Sequence, residues 1–335
     1  MKKILLLTFA MILLIPAGCN ADALKIKPKA VIRPIFELGE LTGDEPGEAQ
    51  LYYDRYCSGG DVYDGIIPGS KVYVKDDVCL YLLGMGKINA ASSLMALLTD
   101  ERFDFSDAYF FLTGCAGGSY EECVMGDVVV VTAAVDFELG HITDGREIAD
   151  STGTTWFRAP MFDSHASKTL NKSLSDRVYN LVKDIKMKTT DKTRRYMSKA
   201  FDDAARAVRD PKVMRGTSVT SDSYWKGAFY HKNALLITKE YGCPDPYAVT
   251  EMENAAVASV LDRMGMLDRL IILRDIVNLD IFVNGDTPES LWDPNRGSWM
   301  DISKNSELAD IFETARENNF KVGSVLIDAI LDGRL

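Results

Sequence analysis

Apolar positions along this chain follow two rhythms, one typical of strands and one typical of helices. Short apolar or alternating runs predict strands over 30–36, 71–74, 78–83, 108–112, 127–135 and 269–273. Apolar residues at helical spacing predict helices over 88–98, 171–185, 196–208, 251–264 and 308–331. Strands that alternate with helices predict an α/β fold with a mostly parallel sheet covered on both faces. No internal repeat or low-complexity linker interrupts the pattern, so 29–335 is predicted to be one domain.

The N-terminal segment has the pattern of an export signal. A basic start is followed by an apolar stretch over 4–15, which is too short to span a bilayer comfortably. Small residues then lead to Cys19, as in the lipobox of a lipoprotein. We therefore expect a lipoprotein-type signal peptide over 1–19, cleaved before a lipid-bearing Cys19, and a tether over 20–28. Pro16 departs from the usual aliphatic residue, so plain secretion is the alternative; either way the protein is expected to be exported, as a periplasmic or membrane-anchored protein.

Composition and charge exclude some classes of protein. Apolar residues make up 47% of the chain and charged residues 26%, which is typical of a globular protein with a large core. The formal net charge is −11, and nucleic-acid binding needs clustered Lys and Arg that so acidic a chain does not favour. The most apolar later window, 267–283, contains Asp268, Arg274 and Asp280, so no spanning helix is predicted there. Any transport would then require a membrane partner.

The cysteines and histidines do not predict a metal site. Five of the six cysteines lie beyond Cys19, none of them in a CxxC pair, and the three histidines are scattered. Zinc sites in proteins use paired ligands at short spacing. We therefore expect no metal.

A glycine-rich turn separates the strand predicted over 78–83 from the helix over 88–98. Gly84 and Gly86 lie in this turn, where outward-pointing amides and a helix N-terminus favour an anion. Glycines also let a ligand approach the backbone closely. A tight strand-to-helix turn without a ligand is the alternative.

Small residues follow the buried strand predicted over 108–112. They begin at Thr113 and include Cys115, Ala116 and Gly117. Ligands of open α/β sheets bind beyond the carboxyl ends of the strands, so we expect this loop and the glycine turn to line one crevice. The alternative for Cys115 is a small buried apolar residue.

Two carboxylates stand at the predicted start of the helix over 251–264. Glu251 and Glu253 flank Met252. A carboxylate can accept two hydrogen bonds from a vicinal diol such as ribose, while methionine offers an apolar face to the sugar. Acidic residues also favour helix N-termini for electrostatic reasons alone, so compensation of the helix dipole is the alternative.

Taken in this order, the segments resemble the nucleoside phosphorylase and nucleosidase superfamily. The matching elements are a GxGxxxAA-like stretch from Gly84, TGxAGG from Thr113, the strand after Gly126-Asp127, the step Ser221-Asp222, the Glu-Met-Glu segment and the stretch from Arg274 to Asn278. The chain resembles most closely the purine nucleoside permease family, on the insert over 39–47, the step Glu48-Ala49-Gln50 and the ending Asn278-Leu279-Asp280. The resemblance covers about 30–330 and implies a nucleoside phosphorylase-like three-layer α/β fold with a central mixed, mostly parallel sheet.

The resemblance also implies a purine nucleoside as ligand and a role for each matching residue. Glu253 would bind the ribose hydroxyls, with Met252 packed on the sugar or base. Asn278 would face the purine edge, and Glu48 would stand near the carboxylate with which nucleosidases activate water. The residues expected to line the nucleoside site are Gly84, Gly86, Thr113, Cys115, Ala116, Gly117, Ser221, Met252, Glu253, Asn278 and Asp280.

Three departures from the superfamily pattern affect the chemistry that the resemblance implies. Cys115 replaces a serine, and Leu112 stands where hexameric phosphorylases carry a phosphate-binding arginine. Asn278 stands where nucleosidases carry an aspartate that can protonate purine N7. An asparagine donates a hydrogen bond but transfers no proton usefully, so Asp275 or Asp280 would have to compensate.

The sequence leaves several functions open. Export, the family resemblance and the missing arginine favour the capture and uptake of purine nucleosides, with a membrane transport partner. The retained Glu-Met-Glu and TGxAGG elements favour cleavage of the N-glycosidic bond, with no cofactor and with phosphate as co-substrate only for a phosphorylase. A surface lipoprotein that keeps only the fold is a weaker option, and a homo-oligomer is compatible with each. We expect Asn278 to favour 6-oxopurines, unless it merely caps its strand.

Overall fold

The computed structural model describes residues 25–144, 155–201, 209–286 and 306–335. The expected signal peptide, Cys19 and most of the tether lie outside the described residues. Within them, no helix combines the length and the apolar character that a membrane crossing requires.

The strands of the described residues build one ten-stranded sheet and a small hairpin. The sheet strands are β1 Ala30–Arg33, β2 Asp61–Asp64, β3 Lys71–Lys75, β4 Val78–Leu80, β5 Tyr109–Gly118, β6 Val128–Asp136, β9 Ser167–Thr169, β10 Val213–Thr220, β11 Tyr247–Glu251 and β12 Leu270–Leu279. Their order is β11-β10-β6-β12-β5-β1-β4-β3-β2, with β9 beside β6. The hairpin pairs β7 (His141–Ile142) with β8 (Trp156–Phe157).

The sheet is mixed, with parallel pairs at its centre. Strand β5 lies between β1 and β12 and pairs with both in parallel. Antiparallel pairs form where β2, β3 and β4 follow one another by short turns and where β12 also reaches β6. Strand β11 pairs with β10 in parallel and also with the end of β5, so the sheet curls back on itself there.

Helices cover both faces of the sheet, which gives the predicted three layers. They are α1 Gln50–Tyr56, α2 Lys87–Leu98, α3 Asp163–Ala166, α4 Lys172–Val182, α5 Asp191–Ala200, α6 Ala228–Glu240, α7 Asn254–Arg263 and α8 Ser306–Leu331. Because side chains alternate along a strand, Phe110 packs with α2 and α7 on one face, and Phe111 packs with α1, α4 and α8 on the other.

The structure corrects three predicted boundaries that matter for the site. The small residues after Leu112 form no loop, because β5 continues to Gly118 and pairs with β12 along that length. The Glu-Met-Glu segment is not the first turn of a helix: Glu251 ends β11, and α7 begins at Asn254. The last sheet strand also extends to Leu279, so Asn278 lies inside it. The helix expected over 196–208 lies partly outside the described residues, and α5 ends at Ala200.

Candidate nucleoside site

The carboxyl-end halves of β5 and β12 bring the predicted site residues together. Cys115 pairs with Asp275 in the strand register, and Gly117 pairs with Asn278. A Cβ atom at Gly117 would lie 2.8 Å from Cγ2 of Thr250 and 3.1 Å from Nδ2 of Asn278. A side chain at position 117 would therefore collide with side chains from both neighbouring strands, β11 and β12, and glycine avoids this.

Glu253 connects the glycine turn to the Glu-Met-Glu segment. Its side chain is buried, and Oε1 accepts a hydrogen bond from the Gly86 amide at 2.9 Å. Oε2 lies 3.1 Å from the Arg274 guanidinium. Burial raises the pKa of Glu253, while Arg274 opposes the rise. The two segments thus line one crevice, and the carboxylate is held in place.

Arg274 is a site residue to which the sequence pattern assigned no role. It is almost fully buried on β12 and donates to Oδ1 of Asn254 at 2.7 and 3.0 Å. Its guanidinium also reaches Glu251 at 3.4 Å and the carbonyl oxygen of Cys115 at 3.3 Å. The signal was available, because this arginine begins the stretch that resembles the superfamily's R-x-x-S-[DN] element.

Glu48 lies against the small-residue half of β5. Its Oε1 accepts from the Cys115 amide at 2.8 Å, and its Oε2 accepts from the Ile35 amide at 2.9 Å. A Cβ atom at Gly114 would lie 2.7 Å from both carboxylate oxygens, so this contact requires glycine. Burial raises the pKa of Glu48 to about 7, against the lowering effects of Arg274 and of the two amides. The carboxyl group therefore keeps its proton to a higher pH than an exposed glutamate does.

An aromatic cleft shares Phe312 with the pocket that Glu48 lines. Phe36, Tyr224 and Asn278 also line this cleft. The Asn278 amide makes only a long contact of 3.4 Å with the Leu279 carbonyl oxygen, which leaves its donor and acceptor atoms available to a ligand in the cleft. This geometry does not favour the alternative in which Asn278 merely caps its strand.

The amides of the glycine turn do not form an open anion site. The Gly86 amide donates to Glu253, and the Lys87 amide donates to Asp222 at 2.7 Å. The Lys87 ammonium lies 2.8 Å from Asp136 and 2.7 Å from Glu138. The protein's own carboxylates therefore occupy the donors that the sequence analysis reserved for an anion.

Several predicted residues serve the protein's own hydrogen bonds. Asp280 is fully buried; it accepts from the Tyr120 amide at 3.0 Å, and one oxygen lies 2.7 Å from both His231 Nδ1 and the Tyr247 hydroxyl. It therefore does not turn toward the cleft, contrary to the expectation. Ser221 donates its hydroxyl to Glu138.

Other predicted residues lie at the edges of the site or beside it. Thr113 donates to Oδ1 of Asn319 at 2.7 Å, on the α8 side of the sheet. Met252 and Gly84 are half-buried, and Ala116 is buried in β5. Among the described residues, no cluster of three or more His, Cys, Asp or Glu is arranged to hold a metal.

This three-layer fold around a mixed sheet is that of the nucleoside phosphorylase-like proteins. A solved 5′-methylthioadenosine/S-adenosylhomocysteine nucleosidase from Neisseria meningitidis superimposes with a TM-score of 0.54 at 17% identity, over 90% of this chain and 99% of that one. A family model described as purine nucleoside permease matches residues 27–334. The chain belongs to the purine nucleoside permease family.

Two curated relatives extend the comparison. A protein named probable purine nucleoside permease from Schizosaccharomyces pombe is 25% identical over 303 residues, which is 83% of this chain and 86% of that protein. A 5′-methylthioadenosine/S-adenosylhomocysteine nucleosidase from Mycobacterium bovis is 31% identical over 183 residues, which is 55% of this chain and 63% of that protein. The chain is thus similar both to proteins named for transport and to proteins named for bond cleavage.

Proposed function

We propose that this protein binds purine nucleosides between Glu253 and the aromatic cleft lined by Asn278, as the capture component of a nucleoside uptake system. The observation that carries the proposal is the fixed carboxylate of Glu253, which is held by the Gly86 amide and by Arg274, on the same strand β12 as the cleft residue Asn278. A fixed carboxylate can accept both hydroxyls of a ribose, and aromatic side chains offer flat surfaces to a purine.

The site of capture follows from the expected leader and from the family. A lipid on Cys19 would hold the protein at a membrane surface outside the cytoplasm, and a membrane-embedded partner would complete the transport. The names of the family and of the fission yeast relative support a role in uptake.

A second candidate function is hydrolysis of the N-glycosidic bond, and Glu48 favours it. A general base is most effective when its pKa lies near the working pH, and burial places the pKa of Glu48 at about 7. The ionised carboxylate would take a proton from water as the water attacks the sugar carbon. The purine would leave with Asn278 donating a hydrogen bond to its edge.

The charges around the site favour water over phosphate as the attacking group. Phosphate needs free amide donors or a guanidinium fork. Here the Gly86 and Lys87 amides are bonded to Glu253 and Asp222, and Lys87 is surrounded by carboxylates. A dianion entering this region would meet several negative charges.

One experiment separates the two functions. The purified protein is incubated with inosine, guanosine and adenosine, each with and without phosphate, while free base is followed by chromatography and binding by calorimetry. Binding without release of base supports capture alone. Release that does not require phosphate supports hydrolysis, and Glu48→Gln should abolish it while retaining binding. Absence of binding for all three nucleosides would refute both functions.

A further inference from the structure

The loop that carries Glu48 is held on both of its sides. On one side the Glu37 carboxylate accepts from the backbone amides of Gly47, Ala49 at 2.8 Å and Gln50 at 2.6 Å. On the other side Arg316 of helix α8 donates to the Pro46 carbonyl oxygen. The peptide units before and after Glu48 are therefore fixed by two charged side chains, Glu37 eleven residues before it and Arg316 far from it in the sequence.

A small cavity separates Arg316 from strand β12 next to Glu48. Glu48, Asp275 and Arg316 all line it, and it leaves about 10 Å³ for the centre of a water molecule. That space holds roughly one water. Asp275 Oδ2 and Arg316 Nε are buried and have no hydrogen-bond partner among the residues that the structure describes. An acceptor and a donor thus line a space of the right size for one water.

The hydrogen bonds around Asp275 leave Oδ2 as its available acceptor. Tyr52 at 2.6 Å and Thr113 at 2.7 Å both donate to Oδ1 of Asn319, so the Asn319 side chain must present its amide nitrogen on the other side. That nitrogen donates to Asp275 Oδ1 at 2.7 Å. Oδ1 of Asp275 therefore accepts from Asn319, and Oδ2 is left to accept from another donor.

Leaving these two atoms without partners would be unfavourable. A buried polar atom without a hydrogen bond costs roughly 1–3 kcal/mol, and more when the group is charged. One water that accepts from Arg316 and donates to Asp275 removes both penalties at once. Such a water would also connect helix α8 to strand β12, while Arg316 itself holds the Glu48 loop through Pro46.

We propose that Arg316 is a positioning residue for Glu48, and that it acts through the Pro46 carbonyl and through one buried water shared with Asp275. The proposal rests on the role proposed for Glu48 in the nucleoside site. It predicts that Arg316 holds the Glu48 carboxylate in its water-excluded position against Gly114 and Cys115.

The test is to measure the pKa of Glu48 in the absence of any nucleoside. Loss of positioning and loss of a positive charge would move this pKa in opposite directions. The charged or titratable groups around Glu48 are Arg274 and Asp275 on β12, Cys115 on β5, Tyr52 on α1 and Arg316 on α8. A looser loop admits water and lowers the pKa of Glu48 toward its ordinary value. Loss of a nearby cation alone would raise it.

Arg316→Lys is the main variant, because it retains the positive charge and removes the planar fork. Its matched control is Arg102→Lys, at a position remote from the site. Arg102 lies over the rings of Phe103 and Tyr63, as Arg316 lies over the ring of Phe312. Carboxyl titrations are followed by ¹³C NMR, and the Glu48 signal is assigned by its absence in Glu48→Gln. We expect the midpoint to fall by about one pH unit in Arg316→Lys, a tenfold loss of proton affinity, and to stay in place in the control.

Several results would overturn the proposal. An unchanged or raised midpoint in Arg316→Lys refutes positioning, as does an equal fall in Arg102→Lys. A high-resolution crystal structure of the parent should show one water within hydrogen-bond distance of Asp275 Oδ2 and Arg316 Nε; an empty cavity refutes the water even if the variant does not fold. Because no ligand enters these measurements, a failure of nucleoside binding in the parent counts against the proposed function and not against the role of Arg316.

Discussion

Replacing Glu253 with glutamine should weaken nucleoside binding at least tenfold and leave binding of the free purine base almost unchanged. In the parent, the carboxylate accepts from Gly86 at 2.9 Å and faces Arg274 at 3.1 Å, which leaves further lone pairs for two ribose hydroxyls. Glutamine has one acceptor oxygen, for which Gly86, Arg274 and the diol would compete. Its amide nitrogen cannot accept from the guanidinium or from a hydroxyl.

The expected magnitude follows from those contacts. A hydrogen bond to a charged group contributes roughly 1.5–3 kcal/mol, and the variant loses at least one such bond to the diol. A loss of about 1.4 kcal/mol already corresponds to tenfold in affinity. In the proposed binding mode Glu253 binds the ribose hydroxyls and not the purine, so the affinity for the free base should be retained.

Calorimetry with inosine and with hypoxanthine on parent and variant is the appropriate assay. Glu251→Gln is a useful control, because it removes a charge beside the same Arg274. The Glu251 oxygens are already bonded to Thr220 and to the amides of Glu253 and Asn254, so this change should lower stability more than affinity. If Glu253→Gln binds inosine as tightly as the parent does, Glu253 is not the ribose anchor.

Further outcomes test other parts of the site. Gly114→Ala should displace Glu48, lower the free energy of unfolding by roughly 1–3 kcal/mol and weaken inosine binding, as measured by denaturant titration and calorimetry; a variant with parent-like values would contradict the contact. If the protein hydrolyses nucleosides, the rate should rise with pH to a plateau above about pH 7, where Glu48 is ionised, and a flat profile would exclude it as the base. The parent should bind inosine more tightly than adenosine, and Asn278→Asp should move the preference toward adenosine; equal affinities in the parent would show that Asn278 does not read the base. Mass spectrometry of the membrane-extracted protein should find diacylglycerol on Cys19, and an uncleaved leader would refute the lipoprotein assignment.

The sequence predicted the fold because most core elements have strong periodic patterns. Strand β6 and the first four residues of β5 and of β12 are nearly continuous runs of buried apolar residues, and α8 repeats apolar residues at helical spacing. Strand β10, Val213–Thr220, was missed because small and hydroxyl-bearing residues fill it. Those residues are buried all the same, since their polar atoms are hydrogen-bonded; Ser218, for example, accepts from Asn254 at 3.1 Å. The spacing of apolar residues does not indicate which polar residues will be buried by such hydrogen bonds.

The Glu-Met-Glu segment shows why the start of helix α7 was misplaced. Glu251 ends a strand, and its Oε2 accepts from the amides of Glu253 at 2.7 Å and Asn254 at 2.6 Å. The carboxylate thus caps the helix from outside it, a task usually given to a shorter side chain. A pattern of acidic residues before an apolar run is the same for a cap and for a first turn, so only the structure could separate them.

Local patterns predicted the segments of the site, and the family resemblance assigned them to one site. The structure confirms that two of these segments meet, because the Gly86 amide donates to Glu253. The role of Arg274 depends on partners in β5, β11 and α7, and the engagement of the Lys87 amide by Asp222 depends on a separate loop. Hydrogen bonds between segments that are far apart in the sequence cannot be predicted from the spacing of residues within one segment.

The burial of Glu48 has a thermodynamic consequence that bears on function. A carboxyl whose pKa is about 7 when folded, against an ordinary value of 4.5, binds its proton more tightly in the folded state. Its contribution to stability is therefore lost as pH rises from about 4.5 to 7, and above pH 7 the buried charge costs about 3 kcal/mol. A site that only captured a nucleoside could recognise the sugar through Glu253 alone. A buried carboxyl group whose pKa lies near neutrality is what acid–base chemistry requires, so Glu48 supports hydrolysis as the second candidate function.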